Sequence, residues 1–273
     1  MIYARAFFEL QLAFAQKVTT LSALPLSQAL LEYTNLYIRF GLGRAFDAAH
    51  PTWQQYLARL RDTKDVGEST YAFYVARGGE PLGPSVVASF GCFSYARLGE
   101  DRIRLHFKNV EPSGVSPLAV ERVGRRKAEL AALFDHVRRR ADRPLRVIGA
   151  SWLYNIEAYR RLFPAPYLAT ARAMPGRFRH MPLWGQFLDR HGAVRDDRAR
   201  AFLEYLERQS TLDGLDRCFP LPVLALDAPV QHFYDSYSAS SSADVERAPT
   251  IEPSGPLTPA AATHDPARAR PSA

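Results

Sequence analysis

Residues 116–163 read SPLAVERVGRRKAELAALFDHVRRRADRPLRVIGASWLYNIEAYRRLF, and the changes of period within them decide the fold class. Ser116-Pro117 predicts a helix N-cap followed by proline at the first helical position, with Val115 and Val120 spaced as a hydrophobic staple. Val120, Val123, Leu130, Phe134 and Val137 then mark one apolar face of a helix reaching about Arg140, and Arg125, Arg126, Glu129 and Arg139 fall outside it. Gly124 costs that helix about 1 kcal/mol against alanine and is read as a place of close approach. Leu145, Val147 and Ile148, bounded by Pro144 and Gly149, predict a short buried strand, followed by a second helix around Ile156 to Phe163. A helix joining neighbouring strands requires a parallel pair or a mixed sheet.

Working outward, twofold alternation predicts antiparallel strands over Tyr71 to Ala76, Val86 to Tyr95 and Arg102 to Val110. In the third, Ile103, Leu105 and Phe107 alternate with Arg102, Arg104, His106 and Lys108, so one face is apolar and the other basic. Upstream, Leu26, Leu30, Tyr33, Tyr37 and Phe40 recur at three and four, predicting one helix from Pro25 to Gly41. Another follows Pro51, with Trp53, Tyr56, Leu57 and Leu60 inward and His50 at its N-terminus. Downstream, Tyr167 to Ala173 and Leu221 to Leu226 read as strands, and Arg198 to Gln209 as a surface helix with Phe202, Tyr205 and Leu206 inward. The expected class is α+β: a mixed, mostly antiparallel central sheet flanked by helices. One domain would span 1–237, with a helical portion at 1–66 and a sheet-containing portion at 70–230. Residues 238–273, rich in Ser, Ala, Pro and Thr, are expected to be a disordered tail.

The 273 residues are 47% hydrophobic, enough for a sizeable core. Cys92 and Cys218 are too few for a disulfide framework and stand in no CxxC pair, which fits a reducing compartment. The apolar run Ala6 to Ala15 is interrupted by Glu9 and Gln11 and resembles neither a signal peptide nor a membrane span, so a cytoplasmic protein with no membrane segment is expected. The seven histidines show no HExxH or paired metal spacing, and no metal is expected. A formal net charge of +7 favours anionic partners.

Asn155-Ile-Glu-Ala158-Tyr159-Arg-Arg-Leu162-Phe163, placed after a strand ending at Ile148, is similar to the Asn-x-x-Ala helix of the GNAT acyltransferase superfamily. The expected element order over roughly residues 70–175 resembles that superfamily as well. Three departures stand out: Tyr159 comes three residues early, Leu162 stands where the family has glycine before Phe163, and Glu111-Pro-Ser-Gly114-Val-Ser116-Pro117 replaces the family's glycine-rich pyrophosphate loop. The resemblance implies acetyl-CoA or another acyl-CoA as cofactor and a small-molecule or protein amine as acceptor. It further implies Asn155, Gly114, Ser116 and Arg122 near the cofactor, and Tyr159 protonating the departing thiolate. His106 or Glu111 is the matching candidate base, taking the amine proton through water. A splayed V between two parallel strands would mark such a transferase.

Other readings compete with this one. Gly149-Ala150-Ser151-Trp152-Leu153 stands where a nucleophile elbow would, but leucine replaces its last glycine, and His180, His191 and His232 show no fixed relation to it. Arg39-Phe-Gly41-Leu-Gly43-Arg44 sets two arginines around a flexible turn able to clamp a carboxylate or phosphate. Together with Arg102, Arg104 and Lys108 these are the anion-binding candidates. The basic strand face, with Arg138 to Arg140, Arg143 and Arg146, is also the footprint expected of a nucleic-acid-binding module, stacking bases on Phe93 or Tyr95. The N-terminal helices offer an alternative role as an interaction surface or homo-oligomer contact.

Overall fold

The structure, a computed structural model, describes residues 2–77, 86–112, 114–174, 180–189 and 191–245. Helix α1 (Arg5–Ser22) buries Phe7, Phe8, Phe14, Ala15 and Val18 and ends at Ala23, whose φ of 57° puts it in the left-handed region. The single helix expected from Pro25 to Gly41 is two, α2 (Leu26–Tyr33) and α3 (Leu36–Arg39). Side chains impose the break: Thr34 Oγ1 turns back onto the Leu30 carbonyl, and the Asn35 N–H donates to Gln11 Oε1 at 2.8 Å. Helix α4 (Pro51–Arg61) begins where proline predicts, with His50 Nδ1 accepting from the Thr52 N–H at 3.2 Å.

The strand expected over Tyr71 to Ala76 is instead helix α5 (Val66–Ala76). Asp65 caps it by accepting from the Glu68 N–H at 2.8 Å, an Asp-x-x-Glu start that outweighs the local alternation. Val75, one of the alternating apolar residues, is left exposed.

The aromatic core of this helical portion is completed by residues far along the chain. Phe14 meets Trp184, Phe202 and Phe219 at centroid distances of 5.5, 5.9 and 5.2 Å. Phe202 and Leu206 point inward from α9 (Asp196–Arg208), whereas Tyr205, also expected inward, is exposed.

Six strands form an open mixed sheet: β1 (Ala88–Phe90), β2 (Phe93–Leu98), β3 (Arg102–Phe107), β4 (Arg146–Ser151), β5 (Arg172–Ala173) and β6 (Leu224–Pro229), in the order β1-β2-β3-β4-β6-β5. β3 and β4 are parallel, and every other pairing is antiparallel. The run Val86 to Tyr95 is not one strand but a hairpin, turning at Gly91 with φ 56°. The strand expected over Tyr167 to Ala173 is reduced to β5, because Pro164 opens the short helix α8 (Ala165–Leu168) first.

Helix α6 (Val123–Arg140) crosses one sheet face and ends where the sequence predicts, but begins later. Arg161 donates to the Leu118 carbonyl at 2.8 Å, and Ala119 is extended. The chain from Ser116 therefore makes turns and one 3₁₀ turn, Val120–Arg122, before the helix. Val120 is exposed, so no staple forms, and a Cβ at Gly124 would meet nothing within 4 Å, so no close approach occurs there. Arg126, assigned to the outer face, is fully buried in line with Leu130, Leu133, Phe134 and Val137.

After β4 the expected helix from Ile156 to Phe163 is a 3₁₀ turn, Trp152–Asn155, and a single helical turn, α7 (Glu157–Arg160). The chain past β6 forms α10 (Gln231–Val245), so residues 238–245 of the expected tail are helical. Phe233 stacks on Phe134 at 4.4 Å, and the Tyr237 hydroxyl donates to the Leu162 carbonyl at 2.6 Å. Residues 246–273, the rest of that tail, lie outside the described residues.

Candidate functional site

The β3–β4 ladder holds for three residues, Arg102 with Arg146, Ile103 with Val147 and Arg104 with Ile148, and then stops. Both strands continue. Leu105 to Phe107 remain paired with β2, and Gly149 to Ser151 with β6. The inner edges beyond the last rung, termed the V below, carry backbone groups free of a cross-strand partner in the β3–β4 ladder. Alternation places Leu105, Phe107 and Gly149 on the α6 face of the V, and Arg104, His106 and Ala150 on the face toward the N-terminal helices.

Tyrosines line the α6 face. Tyr159 lies against Phe107 at 5.4 Å and Tyr154 at 5.2 Å, and the Tyr154 and Tyr167 hydroxyls are 2.8 Å apart. Both hydroxyls approach the β4 backbone so closely that a Cβ at Gly149 would overlap them. Burial, and then the neighbouring Tyr154, push the Tyr159 hydroxyl well above its usual pKa, and burial does the same to Tyr154. Each is therefore a protonated phenol at neutral pH. Tyr154 and Tyr167 were not singled out in the sequence; the recurrence Tyr154, Tyr159, Tyr167 around Gly149 was the available signal.

On the opposite face, His106 and Arg104 meet Arg44, carried by the loop between α3 and α4. Burial, then Arg44 and Arg104, hold the His106 imidazole down to about 4, so it is neutral at pH 7. Arg44 keeps an exposed surface yet titrates below its usual value, through desolvation and then the charges of Arg104 and Arg39. Desolvation lowers Arg104 as well. Among the described residues no carboxylate within 4.0 Å pairs with Arg39, Arg44 or Arg104, and the charges that hold His106 down are those of Arg44 and Arg104. Arg104 Nε, Arg39 Nε and His106 Nε2 are sealed from solvent without a hydrogen-bond partner. Four of the sequence candidates are thus gathered in one place: Arg39, Arg44, Arg104 and His106.

The remaining candidates lie elsewhere. Arg102 and Lys108, at the ends of the basic stripe, are exposed, and Arg102 is 3.8 Å from Asp101. Glu111 is a partner of Arg126, accepting from its Nη2 at 2.7 Å, with a side chain 1% exposed. Arg122 and Arg125 approach the same carboxylate at 4.0 and 3.4 Å. Arg126 also donates to Glu129 at 2.7 Å and to Cys92 Sγ, while Glu129 Oε2 accepts from the Cys92 N–H at 3.0 Å. Glu111 is consequently held as a structural anion by Arg126, an arrangement hidden in the sequence because Arg126 was placed off the apolar face of its helix. Gly114, with φ 91°, and Ser116 belong to the loop before α6. Asn155 sits inside the 3₁₀ turn, where Nδ2 donates to the Trp152 and Pro222 carbonyls at 2.8 Å each.

Ser151 Oγ accepts from the Leu153 N–H at 3.1 Å, capping that turn. His180 instead pairs with Asp216 at 2.6 Å in the helical core. Four members of the further basic cluster are engaged within the protein: Arg138 with Tyr234 and Ser238, Arg139 with Asp135, Arg143 with Glu100 and Arg146 with Asp227.

Among the described residues no helix is long and apolar enough to cross a membrane, and no three His, Cys, Asp or Glu side chains gather as a metal site. Comparison of the chain with family models, with curated proteins and with solved structures finds no match.

Proposed function

We propose that the chain is a GNAT-like N-acyltransferase, or an acyl-CoA-binding relative of one, working at the V between β3 and β4. The observation that carries this reading is the end of the β3–β4 ladder after Arg104 and Ile148 while both strands run on. Unpaired backbone amides at such an opening can accept an extended ligand arm and polarise a carbonyl lying between the strands. At the start of α6 the phosphates of acyl-CoA would meet Arg122 and Arg125, which reach Glu111 only from the surface, at 4.0 and 3.4 Å, and keep part of each guanidinium exposed. Gly114 and Ser116 border that end.

Bound acyl-CoA supplies an activated acyl carbon, which an amine attacks as the carbon–sulfur bond breaks. The chain's own task is to move two protons. Tyr159, kept protonated by burial, is the donor to the departing sulfur on the α6 face. His106, kept neutral by its surroundings, is the acceptor of the amine proton through water on the other face, the role that Glu111 cannot fill while bound to Arg126. The product is an amide, with the free thiol released.

Titration calorimetry with acetyl-CoA, using CoA as comparison, tests the reading. Saturable heat is expected, together with a Tyr159→Phe variant that keeps the affinity and loses turnover by about 10²-fold or more. Absence of saturable heat with either ligand would rule the function out.

A further inference from the structure

We propose that Arg44, Arg104 and His106, with Arg39 behind them, form a binding site for the carboxylate or phosphate group of a small acceptor, placing its amine at the V. The existence of an anion site stands on the sealed, unpartnered polar atoms and the loop that brings Arg44 to β3, together with the mutual electrostatics of these groups, whereas naming its ligand as the acceptor rests on the transferase reading.

Four features converge on it. The cationic groups come from separate elements, the α3 end, the α3–α4 loop and β3, so the fold brings like charges together where no carboxylate of the described residues joins them. That arrangement costs Coulomb energy and desolvation, and an anion offsets both. The nitrogens Arg104 Nε, Arg39 Nε and His106 Nε2 are sealed and unpartnered, although buried polar atoms are nearly always satisfied.

The loop carrying Arg44 is held in an unusual conformation. Gly41 and Gly43 have φ of 75° and 83°, and Phe46, a bulky residue, has φ of 49°. Strain of this kind persists where the surroundings over-determine it, and Phe46 packs on Tyr37 at 5.3 Å. Asp47, the carboxylate of the loop, caps the Ala49 N–H at 2.8 Å. Arg39 is fixed from the other side, with Nη1 donating to the Tyr3 hydroxyl at 2.9 Å and the guanidinium 4.4 Å from that ring.

Accessibility selects the size of the ligand. Arg104 and His106 are half-buried between exposed Arg102 and Lys108. A carboxylate or phosphate on a small molecule reaches them, whereas a nucleic-acid backbone tracking a surface would use the exposed pair. His106 lies two residues beyond the last rung of the β3–β4 ladder, so an anion at Arg104 lies beside the opening. Neutralising Arg44 and Arg104 also removes two of the causes that depress His106, so binding of the acceptor would raise the basicity of the group assigned to accept its proton.

The test is titration of the full chain with inorganic phosphate and, separately, succinate, following the His106 ring signal by NMR and heat by calorimetry. Expected are saturation by one of the two anions, which identifies the group recognised, and a His106 titration moving up from about 4. Arg104→Gln and, as a second variant on an exposed loop, Arg44→Gln should each weaken binding at least tenfold, with Arg102→Gln unchanged. Unsaturable binding of both anions, or affinities unaltered in both Arg104→Gln and Arg44→Gln, would overturn the site. A His106 shift with a short oligonucleotide and with neither small anion would overturn it in favour of nucleic acid. Acetyl-CoA titrated in parallel separates the two ideas: saturation by acetyl-CoA with no anion effect sinks the anion site alone, and the converse sinks the transferase reading alone.

Discussion

Two arginine clusters flank the same sheet, and they are built on opposite principles. Around Arg126 the positive charges are answered: Glu111 and Glu129 accept from a fully buried guanidinium, and Arg122 and Arg125 close the network at the surface. Around Arg104 they are not: Arg44 lies within the field of both Arg104 and Arg39, and Arg44 and Arg104 act together on a neutral His106. The first joins α6 to the β1–β2 hairpin and to the segment after β3. The second joins nothing by charge, since like charges repel. A cluster that costs stability and closes no contact is where a ligand belongs, whereas one with mutual partners belongs to the scaffold.

Stability measurements can break this contrast. Arg126→Met should have the largest effect, a loss of about 3–5 kcal/mol by urea denaturation, because two buried carboxylates lose their cation. Gly91→Ala attacks the same network from the hairpin turn. Its φ is positive and a Cβ would overlap the Glu129 carboxylate, so a loss of roughly 1–3 kcal/mol is expected in the same assay. Arg104→Met should stay within about 1 kcal/mol of the parent, since relief of like-charge repulsion offsets lost packing. A loss comparable to that of Arg126→Met would make the two clusters equivalent and end the comparison.

The smallest effect sharpens it. The folded His106 titrates near 4, below its unfolded value, so the unfolded chain binds the extra proton between the two. The corresponding stability is complete above about pH 6.5 and is lost as pH falls toward 4. Thermal unfolding of His106→Gln should fall less than the parent between pH 7 and 4.5. His136, also depressed by burial, is common to both proteins and cancels in the difference.

Much of the fold was legible because local rules sufficed. Pro51 opened α4, α6 stopped at Arg140, and the alternation of Arg102 to Lys108 assigned both faces of β3 correctly. Where two local signals conflicted, the weaker was easy to follow. Tyr71, Phe73 and Val75 alternate like a strand, but the Asp65 cap dictates a helix. Arg126 stands four residues before Leu130, on the buried stripe, and its residue type concealed what its spacing implied. The site was half legible. Arg39, Arg44, Arg104 and His106 were all candidates, yet their meeting depends on how the α3–α4 loop is laid over β3, a tertiary fact with no local signature.

The split origin of the aromatic core has a consequence in time. During synthesis α1 to α5 emerge long before Trp184, Phe202 and Phe219, the side chains that pack on Phe14. β6, which must enter between β4 and β5, comes later still. The N-terminal helices therefore wait on the ribosome with their apolar faces uncovered, and β6, the last strand made, completes the sheet between β4 and β5.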